Sequence, residues 1–356
     1  MRAIKTLEEL GVGTADVAAI TGKAIADSIE EVARGACVFA QLFKPNRDLV
    51  GAGKPRQIAF PKKGTGISVT WGVSPGSTVS ASSFAYDAVT VSVEKVGIKL
   101  EFTNEALEQA LRDVIKDHIY EAGLEYAEAV DDQAQTIMMD LKRETVAISS
   151  GSVKAATNTP ILRVISVSGG TIANVQYDTG TITLTGSVAA ATVVTEYPNM
   201  QKGNTMWVAA SSAGSLSAKD IMRARAKVVG QKRNPDVVIL NPVDLATLLF
   251  DTNLKFVDAS AYGDREAILN GEIGKIFGMK VLLSTRAPEG AAIVVDSSRL
   301  GYDVIKRDLE GHRQDKPEYD SVWYNFWAER NFGVADTLAV ALVVNAASSD
   351  STYPAA

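Results

Sequence analysis

From Ile58 onward, apolar residues fall on alternate positions. Ile67, Val69, Trp71 and Val73 alternate with small or polar neighbours. Val89, Val91 and Val93 do the same on the return, and Ile98, Leu100 and Phe102 continue it. A period of two sets these side chains on one face of an extended strand. The stretch GVSPGSTVSASSF between the runs carries no charge and few large residues. Residues 58–102 therefore predict a long hairpin with an open tip. A two-stranded ribbon is marginal alone in water, so this one needs another surface to lie on.

The period then changes. Between Thr103 and Thr145 there is no proline and one glycine, Gly123. Leu107, Leu111, Val114, Ile115, Ile119, Ala122, Tyr126, Val130, Ala134, Ile137 and Leu141 recur there every three or four residues. That spacing draws one apolar stripe along an α-helix. Thr103 or Asn104 is placed to cap its start, Glu105 and Glu108 sit at the positive end of the dipole, and Lys142 and Arg143 near the negative end. A helix over this whole segment is a rod of roughly 60 Å. Its stripe must be covered by a sheet or by neighbouring subunits. Alanine and tyrosine at many seam positions argue against a coiled coil.

Elsewhere the elements are shorter. Residues 1–44 predict one or two helices with a partial stripe at Ala24, Ile25, Ile29, Val32 and Ala33, and 45–57 form a polar linker. Residues 151–200 hold four charged residues (Lys154, Arg163, Asp178 and Glu196) and a series of β runs, Ile161–Val167, Thr171–Tyr177, Thr181–Thr185 and Thr192–Tyr197. This predicts a small β insertion. From 205 the pattern is α/β. Ser217-Ala-Lys-Asp220 resembles a capping box, and Gly230 is placed to close the helix that follows. Val237–Leu240 predicts a buried strand, Asn241-Pro242 a helix start, and Met279–Leu283 and Ala292–Val295 two further strands. At the end, Val322, Tyr324 and Phe326 share one face of a strand and Trp323 and Trp327 the other, with Leu338, Val340, Leu342 and Val344 following in alternation. Strands apolar on both faces are expected to be covered on both sides.

Composition narrows the function. The 356 residues are 46% hydrophobic and 22% charged, as in a water-soluble globular protein. No apolar run approaches the ~20 residues of a membrane span. MRAIKTLEELGVG lacks the apolar core of a signal peptide, so neither membrane insertion nor export is expected. The single cysteine, Cys37, lies in ACVFAQLF and reads as a buried, inert thiol. A net charge of −6 argues against broad coating of nucleic acid. Lys219, Arg223, Arg225, Lys227, Lys232 and Arg233 gather around one predicted helix. They read as a solvated face first, and as a contact for an acidic neighbouring subunit ahead of nucleic acid phosphate.

The chemistry of a catalyst is missing. Two distant histidines, His118 and His312, and one cysteine draw no zinc ligand set. Asp131-Asp132 and Glu30-Glu31 are sequence neighbours on helices and point in different directions. Gly72-Val73-Ser74-Pro75-Gly76 fits G-x-S-x-G as a string. A nucleophile elbow takes an N–H from the residue after serine, and Pro75 has none. No phosphate-binding glycine loop appears. No catalytic, cofactor or metal residue is assigned, and the chain is not expected to be an enzyme.

The element order, together with PDVVILNPVDLATLL (235–249), GKIFGMKVLLSTRAPEGAAIVVDSSRLGYDVIKR (274–307) and WAERNFGVADTLAVALVV (327–344), resembles the major capsid proteins of tailed viruses with the Hong Kong 97-like fold. The resemblance implies an α+β chain. It divides into an N-terminal arm and linker (1–57), an extended E-loop hairpin (58–102), a spine helix in a peripheral domain (103–150), an inserted β subdomain (151–204), an axial domain (205–305), closing strands of the peripheral domain (306–346) and a C-terminal tail (347–356). It implies a subunit that assembles with itself, as hexamers and pentamers, into an icosahedral shell around double-stranded DNA. Separate scaffolding, portal and decoration proteins, and a weak non-specific contact with packaged DNA, follow as expected partners, with no membrane. The subunit is expected in the virion, and in the host cytoplasm during assembly. Some relatives cross-link an E-loop lysine to a neighbour. Lys62 and Lys63 lie at the base of this hairpin, but that chemistry does not carry over without matching residues. Three alternatives stand beside this reading: an encapsulin-like nanocompartment shell, a tail or baseplate protein, and a serine hydrolase using Ser74.

Overall fold

The computed structural model of the chain describes residues 25–30, 33, 37–51, 53–63, 71, 73–74, 77–78, 86–103, 114–201, 206–212, 216–249, 257–258 and 274–345. Along the chain come β1 (Lys44–Asn46), β2 (Gln57–Lys63), β3 (Tyr86–Ser92), β4 (Glu94–Thr103) and α1 (Val114–Met139). Then follow β5 (Leu141–Ala155), β6 (Arg163–Ser168), β7 (Ile172–Gln176), β8 (Thr181–Pro198), β9 (Trp207–Ala209), α2 (Ala218–Gly230), β10 (Val237–Leu240) and α3 (Pro242–Leu249). The rest are β11 (Val257–Asp258), β12 (Gly274–Ile276), β13 (Met279–Leu283), β14 (Ala292–Val295), β15 (Gly301–Lys316), β16 (Ser321–Val334) and β17 (Val340–Val344). These elements form two compact units, one of Met1–Ala134 with Tyr302–Gly333, the other of Gln135–Gly301 with Val334–Ala356.

In the first unit, a four-stranded sheet runs β1-β15-β16-β4, and β2 and β3 pair as a separate antiparallel ribbon. The predicted hairpin is thus shorter than 58–102. Its return strand ends at Ser92, and β4 leaves it to pair with β16 from Glu94↔Arg330 to Thr103↔Ser321. The outgoing alternation at 67–73 falls largely outside the described residues. The base of the ribbon is anchored. Phe60 stacks on Tyr302 at 4.2 Å, and Leu49, Val91, Val93 and Val304 complete a buried cluster. Gly333 makes that fit possible, because a Cβ there would lie 2.1 Å from a methyl of Val91.

The stripe on α1 is buried at Ala122, Tyr126, Val130, Ala134, Met138 and Met139. The helix stops at Met139, short of the predicted Thr145. Asp140 turns the chain with a left-handed φ of 46°, and Leu141, Lys142 and Arg143 enter β5. The β-branched and small residues of TVAISSGSV favour the strand over a further helical turn. Thr103 belongs to β4, and Asn104, Leu107 and Leu111 lie outside the described residues.

In the second unit, β5, β8 and β6 pair in that order, with β7 also on β8, around Val146, Ile148, Ile161, Val164, Ile182, Leu184 and Val193. This small sheet begins at Leu141, ten residues before the predicted 151, and two of the predicted runs are parts of one strand, β8. Leu141 pairs with Pro198, and Asn199 Nδ2 donates to Asp140 Oδ2 at 2.6 Å, so the two stems lie side by side. Replacing Leu141–Pro198 by a short Gly/Ser linker should leave the rest of the unit folded. Replacing 151–200 should not, because it strips β8 from the first half of β5 and exposes Val146 and Ile148. Circular dichroism and limited proteolysis of the two deletions check this; equal behaviour would contradict it.

The other sheet of this unit has seven strands, in order β11-β12-β13-β10-β14-β17-β9. Every residue of β10, β14 and β17 is buried, as expected of strands covered on both faces. Ile221, Ala224 and Val228 of α2 and Leu245 and Leu248 of α3 share one cluster with Val208, Val238, Leu240, Val281, Val294 and Val343. Pro242 opens α3 as predicted. Ser217 caps α2, accepting from the Asp220 N–H at 3.4 Å while its hydroxyl donates to the Asp220 carboxylate at 2.6 Å. α2 ends at Gly230 as predicted, and the left-handed turn falls two residues on, at Lys232, with φ 60°.

Candidate functional site

The enzyme-like candidates do not converge. Among the described residues, no three His, Cys, Asp or Glu side chains could hold a metal ion together. His118 is exposed, edge-on to Phe102 at 5.3 Å, and His312 is exposed on β15. The Ser74 carbonyl accepts from the Ser77 N–H at 3.0 Å, which is a turn and not the strand-to-helix corner of a nucleophile elbow. Gly72, Pro75 and Gly76 lie outside the described residues. Cys37 is buried, its thiol 3.6 Å from the Ala127 carbonyl. No helix among the described residues is long and apolar enough to cross a membrane.

What the first unit builds instead is a fastening for its N-terminal segment. Asp131 is buried on α1, and one of its oxygens accepts the N–H groups of Val38, Phe39 and Ala40 at 3.0, 2.6 and 2.9 Å. Glu30 accepts from the Leu309 N–H at 2.9 Å, and Arg47 pairs with Asp308 at 2.6 Å. A cavity of about 470 Å³ is left between this segment, α1 and β15, lined in part by Cys37, Tyr126, Asp303 and Arg330. Asp303 and Arg330, on the neighbouring strands β15 and β16, pair in its lining at 2.5 Å. Burial raises Asp303 above the usual carboxylate range in spite of that partner. Sequence reasoning saw Asp131 as one of two solvated neighbours; nothing local distinguishes it from Asp132, which is exposed.

The outer surfaces carry contrasting chemistry. Glu121, Glu125, Glu128 and Asp132 form an exposed acidic row along α1, spaced by three and four residues. On the hairpin, Trp71 is 95% exposed. It sits in an uncharged stretch that runs from Gly64 to Tyr86.

The six cations predicted to cluster on α2 divide. Arg233 turns to Asp336 at 2.7 Å, and Arg223 reaches Asp220 at 3.4 Å. Asp220 itself is fully buried; burial pushes its carboxyl up, but hydrogen bonds from Ser211 and Ser217 outweigh this and hold it below the usual range. Lys219 and Arg223 remain exposed beside Met222 and Val229, so α2 presents a mixed basic and apolar face. Burial, with help from Arg223, lowers Lys227.

Asp244, in the first turn of α3, is buried, and both its oxygens accept the Gly290 N–H, at 3.0 and 2.9 Å. Burial first, then nearby Glu289, raises its carboxyl to about 6. A carboxyl raised on folding contributes stability below its unfolded pKa of about 4, and that contribution is lost as pH rises through the folded value. Asp244→Asn keeps an acceptor for Gly290 and removes the buried charge. It should therefore be the more stable protein at pH 7.5, by roughly 1–2 kcal/mol, with the difference vanishing below about pH 4. Thermal melts across that range check the sign.

Residues 86–345 match the protein family described as phage capsid protein. The chain is similar to the capsid structure of the Cyanophage P-SCSP1u, with a TM-score of 0.53 and 14% identity over 87% of this chain and 88% of that one. It is similar to the chain in the asymmetric unit of the bacteriophage PhiM1 mature capsid, with a TM-score of 0.52 and 13% identity over 86% of each. A third likeness is to the capsid of a native GTA particle, with a TM-score of 0.51 and 15% identity over 87% of this chain and 90% of that one. No curated protein matches. At such identities the structural likeness speaks for the fold, a mixed α+β architecture.

Proposed function

The chain belongs to the phage capsid protein family, and from that membership we propose that it closes, copy upon copy, into the icosahedral shell around the double-stranded DNA of a tailed virus. It is the major capsid protein of that shell, and its place is the virion. The observation that carries the closed-shell reading is the hairpin: a ribbon fastened at its base by Phe60 and Tyr302, with an uncharged tip that exposes Trp71. Such a tip is stable only when it lies on another copy.

In this reading β2 and β3 are the E-loop and α1 is the spine helix of a peripheral domain completed by β1, β4, β15 and β16. The seven-stranded sheet with α2 and α3 is the axial domain, and β5–β8 are an inserted subdomain. The role is structural. Scaffolding, portal and decoration proteins are its partners beyond itself, and its contact with packaged DNA is weak, since a net charge of −6 repels phosphate. Assembly takes place in the host cytoplasm.

Expression of the full chain should give closed particles or capsomers in sedimentation and negative-stain images. A stable monomer that never associates would contradict the proposal. Nuclease-protected DNA in particles from infected cells separates this reading from a nanocompartment, which would hold protein.

A further inference from the structure

β4 and β16 pair so that their side chains sort cleanly onto two faces. Phe102, Tyr324, Phe326 and Ala328 are buried on one, the face that meets α1 through the contact of Phe102 with His118. The other face carries Lys95, Gly97, Lys99 and Glu101 from β4 and Ser321, Trp323, Asn325, Trp327 and Glu329 from β16; Glu329, opposite Lys95, is buried and taken up by Arg307 and Arg56. Both tryptophans were expected to be covered, as on a strand buried on both sides. Instead Trp327 is 36% exposed, and the cover is lysine.

Lys95 Nζ sits 3.9 Å from the centre of the Trp327 ring, Lys99 Nζ 3.2 Å from that of Trp323, and Lys316 Nζ 5.3 Å from the latter. Gly97 leaves the space Trp327 needs to lie flat, because a Cβ there would fall 2.3 Å from the indole. Tyr319, 66% exposed, stacks beside Trp323 at 6.3 Å. Lys99 has Glu101 at 3.7 Å, whereas Lys95 and Lys316 have no carboxylate partner among the described residues. Two donors on the same face also go unused: Ser321 Oγ and Trp323 Nε1 are buried with no acceptor.

The ammonium groups of Lys95 and Lys316 without a carboxylate partner among the described residues, flat aromatic floors and idle donors all ask for the same thing, a ligand rich in anionic acceptors. We propose that this face of the sheet is a docking strip for an acidic polypeptide segment of a second protein, with carboxylates meeting Lys95 at one end and Lys99 and Lys316 at the other. Trp323 and Trp327 are four residues apart on one strand, so those carboxylates stand roughly 13 Å apart along an extended segment. When the lysines swing to them, their stems uncover the indole N–H for a backbone carbonyl. The hairpin tip of another copy is the poorer occupant, because from Gly64 to Tyr86 it offers no carboxylate.

The test uses the full chain in the assembled state it forms, checked first by sedimentation, and fluorescein-labelled deca-glutamate as the probe. Anisotropy should report saturable binding that weakens steeply with salt. Lys95→Gln with Lys316→Gln should weaken it roughly tenfold, two exposed ion pairs being lost. Trp323→Phe, which keeps the ring and removes the N–H, should weaken it severalfold, whereas Lys219→Gln on α2 should leave it unchanged. Equal binding by the double variant, or no saturable binding by the wild type, would overturn the proposal. Loss of assembly in the double variant would also overturn it, because the strip would then be a contact between copies. A wild-type chain that fails to assemble yet still binds the probe would count against the shell reading alone.

Discussion

Trp71→Ala should leave the chain folded and largely unable to close shells. The side chain is 95% exposed in the single chain, so its removal takes nothing from the core. On a neighbouring copy it is the one tryptophan in the uncharged tip, the kind of residue that concentrates interface energy. Truncating a tryptophan that becomes fully buried costs about 3–5 kcal/mol. Because every copy in a shell repeats the loss, the effect on assembly greatly exceeds that on one contact. Sedimentation should show capsomers or free chains in place of particles, while circular dichroism and the melting temperature stay near wild type. Particles in normal yield would mean that the tip does not hold the shell together.

Asp131→Ala should release the N-terminal segment from α1. Three backbone N–H groups, of Val38, Phe39 and Ala40, lose one shared carboxylate oxygen. Phe39, Leu42 and Phe43, all buried, are drawn out with them. Hydrogen bonds to a charged acceptor count about 1.5–3 kcal/mol each, and sharing one oxygen reduces the total, so a loss of roughly 3–5 kcal/mol is expected. Asp131→Asn retains an acceptor and should fall between the two. Cys37, the single cysteine, supplies a direct readout. Its buried thiol should react slowly with a disulfide reagent in the wild type and much faster in Asp131→Ala. Unchanged thiol reactivity would mean that the segment is held by something else.

The parts of the fold that were legible in the sequence are those decided locally. Val237–Leu240, Met279–Leu283 and Ala292–Val295 are short apolar runs between turn residues, and they form strands with those bounds. Pro242 and Ser217 mark helix starts for reasons contained within one turn. The errors came where a local pattern had two meanings. Leu141 continues the helical stripe, and Lys142 and Arg143 look like cations at a helix end, yet the left-handed Asp140 ends the helix before them. β4 continues the alternation of β3, so its departure to β16 was invisible: the choice of partner rests on residues more than 200 positions away. The same distance hid Asp131, whose partners lie about 90 residues upstream. Of the interaction surfaces, the cations around α2 and the exposed Trp71 could be named from the sequence. The lysine-over-tryptophan strip could not, because it requires knowing which strand lies beside which.

The side-by-side stems of the small β sheet have a use beyond this chain. At Asp140 and Asn199 the polypeptide enters and leaves the small β sheet through adjacent, hydrogen-bonded residues. Antiparallel partners of this kind stand about 5 Å apart. Such a junction is a socket: any autonomously folding domain whose own termini lie equally close can be spliced there without stretching the frame. In an assembled particle each copy would then present that domain at a fixed and repeated spacing. A receptor with several binding sites would meet it as an array, and its avidity would be set by the geometry of the lattice.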